Sequence, residues 1–128
     1  MRVLLDTHAF LWAAAGHPSL GKRARRVYLD PGNRVHLSTA SVWEMAIKAS
    51  LDKLRLAIPL EDLVAEALEE QSVALLPIEL DHVLGVQSLP FHHRDPFDRL
   101  LAAQALCEKI AILSSDAVFD DYGVDRIW

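Results

Sequence analysis

Two aspartates follow short apolar segments that are typical of buried strands. Asp6 comes directly after Arg2–Leu5, and Asp116 follows Ile110–Leu113 after two serines. Because ligands of open α/β sheets bind beyond the carboxyl ends of the strands, the two carboxylates would converge if these strands were neighbours. Aspartate after a strand is also a common turn former and helix N-cap, and for either residue alone that structural interpretation is favoured.

A glutamate, Glu44, lies in the segment Ser41–Lys48, whose other residues are mostly apolar. This segment is predicted to form a largely buried helix, where a carboxylate is costly unless it is paired or bound to a metal ion. The alternative is an i,i+4 ion pair with Lys48, which would contribute only about 0.2–0.5 kcal/mol. An ion pair at the protein surface would not require apolar neighbours on both sides of Glu44, so a functional role of Glu44 is favoured.

Two further aspartates, Asp95 and Asp98, stand at the start of a predicted helix that opens with Pro96. Their i,i+3 spacing places them on one side of the first helical turn. The alternative is again structural, because acids near a helix N-terminus are stabilised by the helix dipole. The alanine-rich helix that follows must pack closely, however, and this position can hold a carboxylate rigidly at the edge of a cleft.

Taken together, four acids form the candidate catalytic set, and Asp95 is an auxiliary member. The four are Asp6, Glu44, Asp98 and Asp116. Oxygen ligands without cysteine suit magnesium or manganese, whereas such a cluster without metal would be mutually repulsive and would raise some of the pKa values. Metal-assisted phosphoryl chemistry is the natural use, because the ion activates water and stabilises charge on the phosphate.

Strands and helices alternate along the chain and would position these acids at the ends of the elements. Apolar runs predict strands over 2–6, 34–38, 73–78, 110–113 and 124–128. Helices are predicted over 7–15, 20–29 with Ser19 as N-cap, 39 or 41 to 50, 61–70, 79–89 and 96–109. The alternation indicates an α/β fold with a mainly parallel sheet and helices on both faces. No repeat or linker divides the chain, so residues 1–128 are predicted to form a single domain.

The composition excludes several classes of protein. Of the 128 residues, 52% are hydrophobic and 24% are charged, so disorder is excluded as the main state. No apolar run approaches the roughly 18 residues that span a bilayer, and no membrane association is expected. Asp6 and His8 interrupt the apolar N-terminal run where a secretory signal would be uninterrupted. A cytoplasmic protein is therefore expected.

The charge balance limits how this chain could bind nucleic acid. A net charge of −5 argues against binding through bulk positive charge, although a bound divalent cation would reverse the sign locally. Lys22, Arg25 and Arg26 fall on one face of the predicted second helix, where they either contact a phosphate backbone or are solvated. Arg99, beside Asp98, is likewise a candidate phosphate contact or a solvated pair.

Three residues that often carry chemistry receive structural interpretations. His92 and His93 lack a second pair of histidines at ligand spacing, so they are predicted to be loop residues at the rim of the cleft rather than metal ligands. Cys107 is the only cysteine, which excludes a disulfide framework and a cysteine-rich zinc site. It lies among apolar residues and is predicted to belong to the core.

Four stretches of the chain resemble the motifs of PIN-domain ribonucleases of the VapC type, the toxin half of bacterial toxin–antitoxin pairs. They lie in the family's order and span nearly the whole chain: Val3–His8, Ser41–Lys48, His93–Ala105 and Ile112–Asp116. The resemblance assigns the family's four acids to Asp6, Glu44, Asp98 and Asp116, with Asp95 a competitor of Asp98 for the third role. It assigns the family's hydroxyl positions to Thr7 and Ser114.

The resemblance implies a three-layer α/β/α fold with a parallel sheet in the order 3-2-1-4-5. It also implies endonucleolytic cleavage of RNA with magnesium or manganese, in which a metal-activated water attacks phosphorus while Thr7 and Ser114 orient the ligands. A small antitoxin protein is the implied partner. The apolar composition would leave surface for an antitoxin groove and for a homodimer.

Two other functions remain as alternatives. One is a haloacid-dehalogenase-like phosphatase that uses Asp6 as the nucleophile, although that chemistry favours a second acid two residues later, where this chain has His8. The other is an interaction module whose acids bind metal without cleaving anything.

Overall fold

Five strands and seven helices make up the computed structural model, which describes residues 1–128. The strands are β1 (Arg2–Leu5), β2 (Arg34–Ser38), β3 (Ala74–Leu76), β4 (Ala111–Leu113) and β5 (Arg126–Ile127). The helices are α1 (Thr7–Ala15), α2 (Lys22–Leu29), α3 (Thr39–Ser50), α4 (Leu60–Glu69), α5 (Leu80–Val86), α6 (Pro96–Glu108) and α7 (Val118–Asp121). None of these helices has both the length and the apolar character that crossing a bilayer requires.

All strand pairs are parallel, and the sheet has the order β3-β2-β1-β4-β5, which confirms the predicted topology. The central strand is β1, and its three residues Val3–Leu5 are fully buried. Leu5 pairs with Leu37 on one side and with Leu113 on the other. The carboxyl ends of β1, β2 and β4 therefore share one edge of the sheet, and the residues that follow them emerge together.

A hydrophobic core lies on each face of the sheet, as expected for three layers. Successive side chains of a strand alternate between faces, so Val3 and Leu5 join one core while Leu4 joins the other. The first core contains side chains of α1 and α2, such as Phe10 and Ala24. The second contains four residues of α6 and Phe119 of α7. The predicted arrangement of helices on both faces is therefore confirmed.

Several predicted boundaries were wrong by a few residues. Helix α2 begins at Lys22 rather than after Ser19, and its N-cap is Gly21, which provides no capping side chain. A Cβ atom at Gly21 would lie 2.6 Å from the backbone carbon of Trp128, so a larger residue would force the backbone at Trp128 to move. The strands predicted over 73–78 and 124–128 are shorter, and the four-residue helix α7 was not predicted.

Candidate active site

A polar cleft of about 300 Å³ opens at the carboxyl edge of the sheet. No hydrophobic residue lines it; its lining residues are Asp6, Thr7, His8, Glu44, Lys48, Asp95, Asp98, Ser115 and Asp116. All five acids singled out in the sequence therefore line one cleft. A larger cavity of about 490 Å³ lies near the start of β2, but its lining includes a single carboxylate, that of Asp30.

Asp6 combines a structural role with a place in the cleft. As the residue after β1 it is the N-cap of α1, and its Oδ1 accepts a 2.7 Å hydrogen bond from the N–H of Ala9. Only 7% of the residue is exposed. Burial raises the pKa of Asp6, the Ser114 hydroxyl and the Ala9 N–H lower it, and the charge of Asp116 raises it further. The N-cap alternative is thus correct, yet it does not remove Asp6 from the cleft.

Glu44 is held from two sides. Thr7, the first residue of α1, donates from Oγ1 to Oε1 of Glu44 at 2.6 Å, and its oxygen also lies 3.1 Å from Oγ of Ser41. The ammonium group of Lys48 donates to Oε2 at 2.7 Å. This bond raises the pKa of Lys48, and the charges of Glu44 and Asp95 add to the effect. The predicted alternative pairing with Lys48 therefore exists, and it is made inside the cleft by a buried carboxylate.

The two acids at the start of α6 differ in their environments. Asp95 is the N-cap: its Oδ1 accepts from the N–H groups of Phe97 and Asp98, and Pro96 takes the first helical position. Asp98 lies in the first turn of the helix and is three-quarters buried. Desolvation raises the pKa of Asp98 from 3.8 to about 6, and the negative charge of Asp95 contributes. Asp95 therefore has a capping role, whereas Asp98 is the partly buried acid whose pKa is raised.

Asp116 and Ser114 form a compact turn beyond β4. The buried Ser114 Oγ accepts a 3.0 Å hydrogen bond from the N–H of Asp116, and Oδ1 of Asp116 accepts one from the N–H of Val118. Both bonds are local, and they fix the direction in which the chain leaves the sheet. The hydroxyl of Ser114 also lowers the pKa of Asp6, so this turn influences two of the acids.

The donor set of the cleft fits a hard divalent cation. Five carboxylates face one lysine ammonium among the lining residues, and no sulfur ligand is present. Such an excess of negative charge in a partly buried cleft favours bound cations, and oxygen donors suit magnesium or manganese. The acids that would hold such an ion are Asp6, Glu44, Asp98 and Asp116.

A second group of ligand-type side chains lies elsewhere, at His82, Cys107 and Glu108, whose ligand atoms are within 4.8 Å of one another. Nδ1 of His82 accepts a 3.0 Å hydrogen bond from the N–H of Glu79. The neutral ring therefore carries its hydrogen on Nε2, which faces Glu108 and leaves no lone pair for a metal. The group does not suit a cation. Cys107 is exposed there, so its predicted place in the core was wrong.

The structure corrects the interpretation of Arg99. Only 5% of Arg99 is exposed. Its guanidinium donates to the backbone carbonyl oxygens of Pro90, Leu89 and Val86 and to the hydroxyl of Tyr122. Arg99 follows Asp98 directly in α6, so its side chain leaves the helix in a different direction and enters the protein interior. Both predictions for Arg99, the phosphate contact and the solvated pair with Asp98, are therefore wrong.

The basic residues of α2 remain accessible in part. Lys22 and Arg26 are exposed, whereas Arg25 is half-buried and donates from Nη2 to the carbonyl oxygen of His17 at 2.9 Å. Lys22 and Arg26 therefore have charged groups that are accessible to a phosphate. Arg25 uses one nitrogen of its guanidinium for a hydrogen bond within the protein.

Sequence reasoning missed the contact of His93 with the site. The residue lies in the loop before α6, as predicted, but its Nε2 is 3.4 Å from Oδ2 of Asp98 and its Nδ1 is 2.8 Å from the hydroxyl of Tyr122. Tyr122 is 29 residues away in the sequence. No local spacing could have indicated this pairing. His8 and Ser115 also line the cleft without having been assigned a role.

Comparison with known proteins gives the same fold. The chain is similar to VapBC2 from Rickettsia felis bound to a promoter DNA fragment (14% identity, TM-score 0.73, 100% of both chains). It is similar to DNA-bound VapBC from Salmonella typhimurium (13%, 0.70, 98% of this chain and 96% of that one). It is also similar to the sarcin-ricin-loop-cleaving toxin VapC20 of Mycobacterium tuberculosis (18%, 0.64, 95% of both chains).

Among curated proteins, none matches the chain significantly. The model of the PIN domain, in contrast, matches residues 3–125. This range contains all the acids of the cleft and the strands β1 to β4 except Arg2, whereas β5 lies just beyond it. The chain therefore belongs to the PIN domain family.

Proposed function

We propose that this chain is a magnesium- or manganese-dependent endoribonuclease and the VapC-type toxin of a toxin–antitoxin pair. The observation that carries the proposal is the convergence of Asp6, Glu44, Asp98 and Asp116 on one polar cleft at the carboxyl edge of a PIN fold. The similarity to two solved VapBC structures and to a toxin that cleaves the sarcin-ricin loop supports the same assignment.

In this proposal the four acids hold the cation, which when bound lowers the pKa of water and neutralises charge on the scissile phosphate. The chain's own residues supply the orientation. Thr7 fixes one oxygen of Glu44, and Ser114 fixes the turn that carries Asp116 while it stabilises the charged form of Asp6. Hydroxyl groups behind metal ligands typically set ligand orientation.

Lys48 is the one cationic side chain among the lining residues with a permanent charge. Its ammonium group pairs with Glu44, and 41% of the side chain is exposed. It therefore offsets part of the repulsion among the acids and offers a positive charge at the mouth of the cleft, where an RNA phosphate would enter. Asp95 contributes charge from the N-cap of α6 without being required as a ligand.

Binding of RNA needs local positive charge because the net charge of the chain is −5. Lys22 and Arg26 are the exposed candidates on α2, with Arg25 in support. Arg99 is excluded because it is buried.

The proposed protein partner is a small antitoxin. An apolar groove of about 350 Å³ lies between the end of α3 and the start of α4, lined by Ala49, Leu54, Leu56, Ala57, Ile58, Pro59 and Leu60. Such a groove suits the apolar face of an amphipathic helix, and a basic side chain of the same partner could reach the acidic cleft. The similarity to structures of toxin–antitoxin complexes supports this partner.

A homodimer is the proposed self-assembly. Helix α5 exposes three apolar side chains spaced three and four residues apart, Leu80, Val83 and Leu84. Sedimentation of the chain without its antitoxin should give twice the monomer mass, and Val83→Asp/Leu84→Asp should give the monomer if this face carries the contact.

The function is tested by incubating the purified chain with RNA and Mn²⁺. We expect cleavage that leaves 5′-phosphate and 3′-hydroxyl ends and that stops when EDTA is added. Asp6→Asn and Asp116→Asn should each abolish it, because ligands that act as one unit are not additive. Asp95→Asn, which removes a capping carboxylate, should reduce cleavage less.

The same preparation separates the alternatives. A phosphatase would form a phospho-aspartate at Asp6 that can be trapped, and an interaction module would bind Mn²⁺ without cutting RNA. Near-normal cleavage by Asp6→Asn would refute the assignment of the metal site.

A further inference from the structure

A chain of hydrogen bonds connects the protein interior to Asp98. The residues that form it have no role in the proposed cleavage of RNA. Arg99 Nη1 donates to the hydroxyl of Tyr122 at 3.1 Å. The same hydroxyl lies 2.8 Å from Nδ1 of His93, and Nε2 of His93 lies 3.4 Å from Oδ2 of Asp98.

The inner end of this line is rigidly held. Arg99 and Tyr122 are 5% and 6% exposed, and the guanidinium of Arg99 also donates to three backbone carbonyl oxygens, those of Val86, Leu89 and Pro90. Tyr122 therefore presents its hydroxyl to His93 from a fixed position.

The direction of each hydrogen bond follows from what the groups can donate. A guanidinium has no acceptor, so Tyr122 accepts from Arg99. The buried hydroxyl of Tyr122 still has its own hydrogen to place, and Nδ1 of His93 is the acceptor in reach. A neutral imidazole that accepts at Nδ1 carries its hydrogen on Nε2. That hydrogen faces the carboxylate of Asp98.

The opposite tautomer fits poorly at both ends. It would leave the hydrogen of the buried Tyr122 hydroxyl without an acceptor, and it would turn the lone pair of Nε2 toward a carboxylate oxygen. The two ends of the ring therefore select the same tautomer.

We propose that His93, held by Tyr122 and Arg99, is a positioning residue that orients the Asp98 carboxylate for a divalent cation, an inference that rests on the proposed function. His93 engages Oδ2, and no protein hydrogen bond engages Oδ1 of Asp98. The carboxylate thus keeps one oxygen for a cation while its rotation is restricted from the other side. Partners behind a metal ligand commonly act in this way.

The affinity of the whole chain for Mn²⁺ tests the proposal, measured by the electron paramagnetic resonance signal of free Mn²⁺. His93→Ala should weaken Mn²⁺ binding by about 10-fold to 100-fold. His93→Gln should recover most of the affinity, because its amide N–H can replace Nε2 as the donor. Tyr122→Phe should weaken binding less than His93→Ala, and the double variant should be no weaker than His93→Ala alone.

The neighbouring histidine provides a matched control. His92 packs edge-on against the ring of Tyr122, with 4.9 Å between the ring centroids, and makes no hydrogen bond to Asp98. His92→Ala therefore removes an imidazole from the same tyrosine, and we expect the affinity for Mn²⁺ to be unchanged.

Nitrogen chemical shifts give a readout that needs no cation. In the wild-type chain with EDTA, the ¹⁵N shifts of His93 should identify the tautomer with hydrogen on Nε2, and Tyr122→Phe should reduce that preference. This measurement and the affinity of Tyr122→Phe decide the question if His93→Ala does not fold.

Wild-type affinity for Mn²⁺ in a folded His93→Ala variant would overturn the inference, as would hydrogen on Nδ1 in the wild-type spectrum. If the wild-type chain binds no Mn²⁺, both the inference and the proposed function fail. If it binds Mn²⁺ in a way that depends on His93 but cuts no RNA, the proposed nuclease activity fails while the role of His93 stands.

Discussion

The hydroxyl of Thr7 donates a 2.6 Å hydrogen bond to Oε1 of Glu44, and the bond joins two buried residues that are 37 positions apart in the sequence. It connects the start of α1 to the middle of α3, so the helix that begins beside Asp6 also fixes the second acid of the cleft. Lys48 donates to the other oxygen. Both oxygens of Glu44 therefore have protein donors.

Replacing Thr7 by valine, which removes this hydrogen bond, should lower both the stability of the chain and its cleavage of RNA. Thr7→Val keeps the shape of the side chain but leaves Oε1 of a buried carboxylate without its donor, which should cost about 1–3 kcal/mol of unfolding free energy. Cleavage of RNA should fall by about 10-fold to 100-fold. Urea unfolding and single-turnover cleavage measure the two effects. Thr7→Ser retains the hydroxyl and should behave nearly as wild type, and equal behaviour of the valine variant would contradict the role given to Thr7.

The raised pKa of Asp98 predicts an unusual dependence of stability on pH. A carboxyl group whose pKa rises from 3.8 in the unfolded chain to about 6 in the folded one binds its proton more tightly when folded. Its contribution to stability is therefore complete below pH 3.8 and is lost as the pH rises through about 6.

The prediction is checked by urea unfolding between pH 4 and pH 7 in EDTA, at values chosen to bracket the pKa of about 6. Asp98→Asn cannot lose a proton, so the difference in unfolding free energy, wild type minus variant, should become more negative as the pH rises. A constant difference would mean that Asp98 titrates normally.

Binding of Mn²⁺ should stabilise the folded chain by mass action. At a free concentration one hundred times the Kd, the gain is about 2.7 kcal/mol. For a chain of this size, that corresponds to a rise in Tm of about 10 °C. The rise should vanish in Asp6→Asn/Asp116→Asn. The matched control is Glu66→Gln/Glu69→Gln, which removes two exposed charges from α4 and should keep the rise in Tm. An equal rise in both double variants would mean that Mn²⁺ binds outside the acidic cleft.

Salt dependence of RNA binding tests the basic face of α2. Each phosphate contact on a single strand adds about 0.7 to the slope of log K against log salt. Lys22→Ala/Arg26→Ala should therefore lower the slope by about 1.4, and adding Arg25→Ala should bring the total to at most about 2. The cleavage site should not move, because phosphate contacts carry no base information.

The matched control for this experiment is Lys53→Ala/Arg55→Ala, which removes the same charge from exposed residues outside α2. A slope lowered equally by both double variants would indicate an effect of overall charge alone. An unchanged slope in the α2 variant would mean that these basic residues are solvated or contact the proposed antitoxin instead of RNA.

The position of the acids was predictable because it depends on local pattern and on one rule of topology. Asp6 and Asp116 each follow an apolar strand, and neighbouring parallel strands end at a common edge. The burial of Glu44 followed from its apolar neighbours. Periodicity and the order of elements carry this information, and both are visible in a sequence.

The environments of two residues in α6 were not predictable, because they depend on which face of the helix is buried. Arg99 was expected at the surface beside Asp98, but α6 turns it toward carbonyl groups at the end of α5 and in the following loop. Cys107 was expected inside, yet the last turn of α6 leaves it exposed. The hydrophobicity of α6 varies little from face to face, so the sequence could not decide which face is buried.

The burial of Arg99 next to Asp98 affects how mutational screens of this protein should be interpreted. In a screen for loss of the proposed RNA cleavage, substitutions at Arg99 and at Asp98 would both score as inactive, and both residues would be assigned a catalytic role. Arg99→Lys, however, would replace the planar guanidinium that donates to three carbonyl oxygens by an ammonium group that cannot reproduce this geometry. The loss of activity in Arg99→Lys would therefore result from partial or complete unfolding. Measurement of protein abundance together with RNA cleavage separates the two positions.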